Sequence, residues 1–111
     1  MEKDTEKQIG QLQMMEQGMQ TFLMQKQQLQ TQLIEIESAL KELKNTDQAY
    51  KIIGNIMVKT NKEELEKDLK SKKDAVDLRI KTLEKQEKQM KDKSKVLQEE
   101  VMKKLKSEKW W

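Results

Sequence analysis

The sequence predicts a mainly α-helical protein, in which two long helices form an antiparallel coiled coil and a central β-hairpin joins them. Of the 111 residues, 34% are hydrophobic and 39% are charged, which suits helices that share a narrow apolar seam better than a globular core. Apolar residues recur at heptad spacing on both sides of the middle of the chain. Between these regions lie two short β-prone runs, and residues 1–111 are interpreted as a single domain.

The first helix is predicted over residues 8–45. Its seam advances in alternating steps of three and four residues, and Lys26 is the single polar residue in it. The seam positions are Leu12, Met15, Met19, Phe22, Lys26, Leu29, Leu33, Ile36, Leu40 and Leu43. Glutamines crowd the remaining faces. We interpret them as a solvated helix surface, because regular apolar residues interrupt them, whereas an aggregation-prone tract would be continuous.

The hairpin is predicted over residues 50–59, YKIIGNIMVK. Gly54 and Asn55 form a two-residue turn, and glycine at its first position permits the positive φ that such turns require. The alternative is a plain loop between helices. A two-stranded hairpin is marginally stable alone, and the chain offers no other strands. Partner strands from other subunits are therefore expected, which makes the hairpin an assembly device.

The second helix is predicted over residues 61–109, beginning with a capping box in which Thr60 and Glu63 satisfy each other's backbone amides. Every seventh residue is apolar along one line: Leu69, Val76, Leu83, Met90 and Leu97. Four further apolar residues flank that line: Leu65, Ile80, Val101 and Leu105. The positions expected to complete the seam are polar: Lys72, Arg79, Gln86 and Lys93. So thin a seam suits an intramolecular partner, and the two helices are expected to lie antiparallel.

Composition argues against several function classes. The chain has no cysteine and no histidine, so the common zinc sites and the Cys-His and Ser-His nucleophile systems cannot form. Its three glycines are isolated, so no phosphate-binding loop is present. An enzyme, a bound metal and a cofactor are therefore not expected. No signal sequence or membrane span is recognisable, so a cytoplasmic protein without membrane contact is expected.

Methionine-rich sequence near both chain ends is the candidate binding surface. In the antiparallel arrangement, Leu12, Met14, Met15 and Met19 come to the same end as a second group. That group contains Val101, Met102, Leu105, Trp110 and Trp111. Methionine is flexible and polarizable, which suits adaptable apolar contacts. The alternative is ordinary seam packing, which fits Met15 and Met19 better than Met14 and Met102. Trp110 and Trp111 have no seam role that can be assigned.

Two segments resemble a known protein family. They are YKIIGNIMVKTNKEEL, residues 50–65, and LRIKTLEKQEKQM, residues 78–90. Together with the Gln-rich start, they closely resemble the β-type subunits of archaeal prefoldin, also called GimC. The resemblance implies a hexamer of two α and four β subunits whose hairpins join in a double β-barrel platform. It further implies an ATP-independent co-chaperone that holds non-native proteins and passes them to a group II chaperonin.

The resemblance also implies roles for particular residues. Platform assembly falls to the hairpin residues Tyr50, Ile52, Ile53, Gly54, Asn55, Ile56 and Val58. Client binding falls to the helix ends, which we call the tips: Leu12, Met14, Met15, Met19, Val101, Met102 and Leu105. Chaperonin docking is expected toward the C-terminal end of the second helix. The Trp110-Trp111 ending departs from the family pattern.

Three other interpretations compete with this one. Disorder would fit the composition, but the charges nearly balance at +3 and the apolar residues are regularly spaced. A structural coiled-coil scaffold that homo-oligomerises would explain the heptads but not the strand pattern. Nucleic-acid binding by the lysine-rich second helix is not expected, because acidic residues are interleaved with the lysines and aromatic residues are scarce.

Overall fold

The computed structural model describes residues 2–108 and confirms the predicted fold class. Two long helices flank an antiparallel hairpin, in the order α1 (Lys3–Leu43), β1 (Ala49–Ile53), β2 (Ile56–Thr60) and α2 (Lys62–Glu108). Helix α1 begins five residues before the predicted start of the first helix. Asp4 and Glu6 lie in its first turn, where negative charge is favourable because the helix dipole is positive there.

The seam of α1 lies where the heptad predicts. All ten predicted positions are buried or half-buried, and most residues between them are exposed. The seam continues toward the N-terminus through Thr5, which is fully buried, and the half-buried Gln8. At the other end, Leu43 is buried, and the amides of Lys44 and Asn45 donate to the carbonyls of Lys41 and Glu42. These hydrogen bonds close the last turn of α1, before the connector, which is the segment between the two helices.

Helix α2 begins at Lys62, one residue after the predicted start of the second helix. The Asn61 Oδ1 accepts a hydrogen bond from the Glu63 amide at 2.9 Å, and the Asn61 carbonyl accepts one from the Leu65 amide. Asn61 is therefore the N-cap residue. The predicted cap at Thr60 is wrong, because Thr60 is the last residue of β2 and pairs with Ala49.

The seam of α2 differs in phase from the prediction. Lys72, Arg79, Gln86 and Lys93 are exposed. The positions that complete the seam lie instead four residues after each predicted apolar position. They are buried or half-buried: Lys73, Ile80, Glu87, Ser94 and Val101. Ile80 and Val101 are thereby buried in the core, which makes this seam more apolar than predicted. A seven-residue repeat alone does not determine which neighbouring line completes the seam.

The chain divides into two compact units. Among the described residues, those up to Lys26 and those from Thr82 onward form the chain-end unit, and Gln27–Lys81 form the hairpin unit. In the chain-end unit, Gln8 contacts Glu100 and Lys26 contacts Glu87, so the two helices run antiparallel. In the hairpin unit, the Lys73 Nζ lies 3.8 Å from the Glu37 Oε1. The two lysines that interrupt the seams therefore both meet a carboxylate.

The connector forms a hairpin, as predicted, rather than a plain loop. Strands β1 and β2 pair from Ala49 with Thr60 to Ile53 with Ile56, which leaves Gly54 and Asn55 as a two-residue turn. Gly54 has a φ of 61°, and a Cβ atom at this position would have no heavy atom within 4 Å apart from those of Gly54 and its two neighbours. Glycine is favoured here by the backbone conformation, not by lack of space.

Candidate functional site

The hairpin presents apolar side chains on both faces. Because cross-strand partners lie on the same face, Tyr50 and Ile52 share one face with Met57. Ile53, Ile56 and Val58 share the other. Within the described residues, each of these six side chains is exposed, with Ile52 at 71% and Met57 at 66%. A sheet this small with two apolar faces is suited to burial between other structural elements.

The hairpin also has two open edges. The sheet contains only β1 and β2 in the described part of the chain, so each strand has one side without a neighbour. Backbone amides and carbonyls on such edges can pair with strands of another chain. Open edges and apolar faces together make the hairpin a candidate surface for strand-mediated assembly.

Sequence reasoning missed Met57 as a member of this surface. Met57 pairs with Ile52, so the Tyr50 face extends across both strands. The signal was available in the sequence: a two-residue turn at Gly54-Asn55 fixes the register, and the register places Met57 opposite Ile52. The pattern of alternate residues within each strand hides this relation, because Ile56 and Val58 lie on the face opposite Tyr50 and Ile52.

The chain-end unit carries two shallow grooves between its helices. The Met15 groove has a volume of ≈ 400 Å³, and Met15, Val96 and Leu97 supply its apolar lining. The Leu12 groove has a volume of ≈ 370 Å³ and includes Ile9, Leu12 and Met19 in its lining. Charged residues border the Met15 groove: Asp92, Lys93 and Glu100. Each groove can receive an apolar side chain while polar groups at its rim stay in contact with water.

The predicted tip residues differ in accessibility. Met14 is 72% exposed and Met102 is 56% exposed, whereas Leu12, Met15, Met19 and Leu105 are half-buried. Val101 is only 5% exposed, so it packs between the helices and offers no surface to another protein. Trp110 and Trp111 lie outside the described residues. The structure therefore separates the predicted set into exposed methionines, half-buried residues and one core residue.

Sequence reasoning missed Ile9 and Val96 as groove residues. Ile9 lies one turn before Leu12, and Val96 adjoins Leu97, but neither occupies a predicted seam position. Val96 is largely exposed despite its apolar side chain. The signal available in the sequence was a β-branched residue beside the seam. Whether that residue lines a groove depends on which residues of the opposite helix lie next to it.

Polar contacts hold the two helices of this unit in register. The Gln8 Nε2 donates to the Glu100 Oε2 at 3.3 Å, while the Gln8 Oε1 is buried and has no hydrogen-bond partner within the described residues. The Lys26 Nζ lies 3.5 Å from the Glu87 Oε2, and both side chains are partly buried. The Lys26–Glu87 pair in the seam favours one register over others, because a shifted register would leave these two charges unpaired.

The described residues lack the features of two other classes of site. No group of three or more acidic residues is arranged to hold a metal ion within residues 2–108. Across the same part of the chain, neither helix has a stretch apolar enough to cross a bilayer.

Comparison with known proteins identifies the family. A family model described as "Prefoldin subunit" matches residues 6–108. The prefoldin subunit beta of Archaeoglobus fulgidus is 39% identical over 87 residues, which cover 76% of this chain and 75% of that protein. The prefoldin subunit beta of Methanosarcina acetivorans is 37% identical over 101 residues, which cover 88% and 86% of the two chains.

The fold agrees with a solved structure from the same family. The crystal structure of the prefoldin beta subunit from Thermococcus strain KS-1 superposes with a TM-score of 0.84, at 33% sequence identity and with 94% of each chain covered. Prefoldin subunits are chaperone components, and all three of these relatives are beta subunits. On the family model, the identities and the shared fold together, this chain belongs to the prefoldin subunit family.

Proposed function

We propose that this chain is a β-type subunit of a cytoplasmic, hexameric co-chaperone with two α and four β subunits. The hexamer acts as a holdase: it captures non-native proteins without nucleotide hydrolysis and delivers them to a group II chaperonin. The single observation that carries the proposal is the hairpin, in which Ile52, Met57 and their neighbours are exposed beside two open strand edges. Family membership supports it, because prefoldin subunits assemble with one another.

The hairpin supplies the assembly step of this function. Free backbone amides and carbonyls along β1 and β2 can hydrogen-bond to strands of neighbouring subunits. The apolar faces then become buried between those strands, and burial contributes about 25 cal/mol per Å² of apolar surface. A β-barrel formed in this way removes the open edges, because closure gives every strand two neighbours.

The chain-end unit supplies the capture step. Non-native proteins expose apolar side chains, and these fit the Met15 and Leu12 grooves. The exposed Met14 and Met102 extend the apolar surface beside the grooves. Methionine adapts its shape to different partners, so one surface accepts many sequences. Val101 supports the grooves from the core without contacting the client.

Several weak contacts suffice for holding a client. A hexamer presents its grooves in several copies, and simultaneous binding raises the effective concentration of each remaining contact. Each single contact can therefore stay weak and release without ATP hydrolysis. Transfer to the chaperonin then needs only competition for the same apolar segments. We place chaperonin docking toward the C-terminal end of α2.

Client protection tests this function. The chain is mixed with an archaeal prefoldin α subunit, and a chemically unfolded client protein is diluted into the mixture without nucleotide. We expect light scattering from client aggregates to be suppressed near one hexamer per client, and addition of a group II chaperonin with ATP to restore client activity. A protein with no apolar grooves, at equal mass concentration, controls for crowding. Undiminished scattering, with the hexamer formed, would contradict the holdase assignment.

A further inference from the structure

Methionine is concentrated in one part of the chain. Of the seven methionines among residues 2–108, six lie in the chain-end unit, and Met57 of the hairpin is the seventh. The 111 residues contain no cysteine, so thioether groups are the only sulfur groups on which an oxidant can act. The proposed capture surface is therefore also the region in which the sulfur chemistry of the chain is concentrated.

Two of these methionines combine exposure with a position beside the grooves. Met14 adjoins Met15 of the Met15 groove and Gln13 of the Leu12 groove. Met102 follows Gln98, which lines the Leu12 groove, by one helical turn. Both methionine side chains are more than half exposed. A small oxidant can therefore reach them without any separation of the two helices.

Met90, a seam residue, is in the opposite situation. It is half-buried, and its Sδ and Cε lie 3.1 Å and 3.3 Å from the position that a Cβ atom on Gly18 would take. The thioether therefore packs against α1 at the glycine, where the backbone amides are satisfied within the helix. An oxygen atom added to this sulfur would find little room and no free donor. Oxidation of Met90 is thus disfavoured while the helices are paired, so oxidation of exposed methionines leaves the seam intact.

Hydroperoxides oxidise thioethers without any further reactant. The sulfur lone pair attacks one peroxide oxygen, and the O–O bond breaks as the S–O bond forms. The other oxygen leaves as water or an alcohol, taking the proton that the transferred oxygen releases. Sulfur is oxidised and the peroxide is reduced. The product, methionine sulfoxide, is polar where the thioether was apolar. Contact with an apolar client would remove water from the sulfoxide oxygen without supplying a donor, which costs free energy.

We propose that Met14 and Met102 are modification sites, whose reversible oxidation by hydroperoxides switches off client capture. Assembly is protected from the same oxidant, because Met57 of the hairpin becomes enclosed between subunits in the proposed hexamer. The inference rests on the proposed function, because it names a control of the capture surface. It deepens that function by assigning the class of oxidant and the residues that the oxidant modifies.

Peroxide treatment of the assembled hexamer tests the inference. Hexamers made with an archaeal prefoldin α subunit are exposed to hydrogen peroxide, and catalase then removes the peroxide. An unfolded client that was never oxidised is diluted into the mixture, and mass spectrometry of peptides measures sulfoxide at each methionine. Methionine sulfoxide reductases A and B with dithiothreitol reverse the modification, one enzyme for each sulfoxide epimer. Native mass and circular dichroism confirm that the hexamer and its helices persist.

Matched variants separate the proposed sites from other methionines. Met14→Leu combined with Met102→Leu removes both thioethers and keeps apolar side chains of similar volume. Met24→Leu makes the same change at an exposed position of the chain-end unit that lines neither groove. Each protein is compared with its own untreated sample, and every mixture contains the same α subunit. Differences in peroxide sensitivity therefore come from the substituted residues.

The expected outcome separates the double variant from the other two proteins. After peroxide, the unmodified chain and Met24→Leu should need at least about fivefold more hexamer for equal client protection, because unpaired polar groups weaken each contact. The double variant should change less than about twofold, because its leucines form no sulfoxide. Reductase treatment should restore protection by the unmodified chain.

Three results would overturn the inference and leave the proposed function standing. They are equal sensitivity of the double variant and the unmodified chain, full protection by a hexamer that carries both sulfoxides, and a loss of protection that the reductases do not reverse. Failure of the untreated hexamer to protect a client would instead overturn the proposed function, and the inference with it.

Discussion

The hairpin and the chain-end unit both expose apolar side chains, but of different kinds. The hairpin exposes mainly β-branched residues, Ile52, Ile53, Ile56 and Val58, held on a hydrogen-bonded ladder. The chain-end unit exposes mainly unbranched methionines, Met14, Met24 and Met102, on helices, and Leu23 and Val96 are its branched exceptions. β-branched side chains have few rotamers, whereas methionine has three flexible bonds. Stiff surfaces suit one fixed partner, and flexible surfaces suit many.

The two regions also differ in the backbone groups that they offer. Strand edges present free amides and carbonyls, which bind only another extended chain in register. Helices have satisfied their own backbone groups, so the grooves bind through side chains alone. The proposed assembly and the proposed capture of many clients can therefore coexist in one chain, because each uses a different physical interaction.

The largest effect on assembly is expected from a substitution that disrupts the hairpin turn. Gly54→Pro should abolish assembly with an α subunit, because proline fixes φ near −65° while Gly54 has a φ of 61°. Native mass measures the loss, and circular dichroism should show both helices retained. Asn55→Gly is the control, since glycine tolerates any turn conformation. A Gly54→Pro chain that still assembles would show that the hairpin is not the assembly device.

Removal of flexible methionine side chains tests whether the chain-end unit binds clients. The triple variant Met14→Ser, Met15→Ser and Met102→Ser should lose most suppression of client aggregation, because apolar contacts in and beside the Met15 groove disappear. Hexamer mass should not change.

Its matched control replaces three exposed glutamines of the same unit, Gln17, Gln20 and Gln25, with serine. This control should protect the client as well as the unmodified chain does. Full protection by the methionine variant would remove these residues from the proposed client surface.

A substitution in the seam measures how much burial there contributes to the free energy of unfolding of the helix pair. Leu29 is buried, and Leu29→Ala should lower the free energy of unfolding by about 2–3 kcal/mol through lost burial and a residual cavity. Chemical denaturation followed by circular dichroism measures the change. Gln30→Ala, at an exposed position, should alter the free energy by less than about 0.5 kcal/mol. Equal effects at both positions would contradict the assigned seam.

The smallest expected effect concerns the ion pair in the seam. A double-mutant cycle with Lys26→Met and Glu87→Gln should give a coupling energy of about 0.5–1 kcal/mol, because the pair is only partly buried and solvent screens it. Denaturation midpoints of the four proteins supply the measurement, and the coupling should shrink at roughly 1 M salt, where charges are strongly screened. Coupling above about 3 kcal/mol would mean that the pair is a main determinant of stability.

Most of the fold follows from the sequence because its signals are local. The α1 seam depends on spacing within one helix, and the hairpin depends on Gly54 and its β-prone neighbours, so both are predictable. The phase predicted for the α2 seam is wrong, because Ile80 and Val101 become core residues only in contact with α1. The cap is at Asn61 and not at Thr60, since strand pairing extends to Thr60.

The candidate sites follow from the sequence less completely. The sequence predicts exposed residues such as Met14 and Ile52 as candidate site residues, because residue type and position in the helix or strand pattern suffice to select them. The grooves are not, because Val96 becomes a groove residue only when Met15 and Gln11 of α1 lie beside it. Met57 is assigned to the Tyr50 face only when the register between the two strands is known. Each of these depends on relations between elements that a linear pattern does not contain.

We propose that the hairpin assembles this chain with prefoldin α subunits. Native mass of the purified chain, alone and after mixing with an archaeal prefoldin α subunit, tests it most directly. We predict a mixed species whose mass equals two α and four β chains. A small homodimer whose mass does not change when the α subunit is added would contradict the claim and favour a structural coiled-coil scaffold.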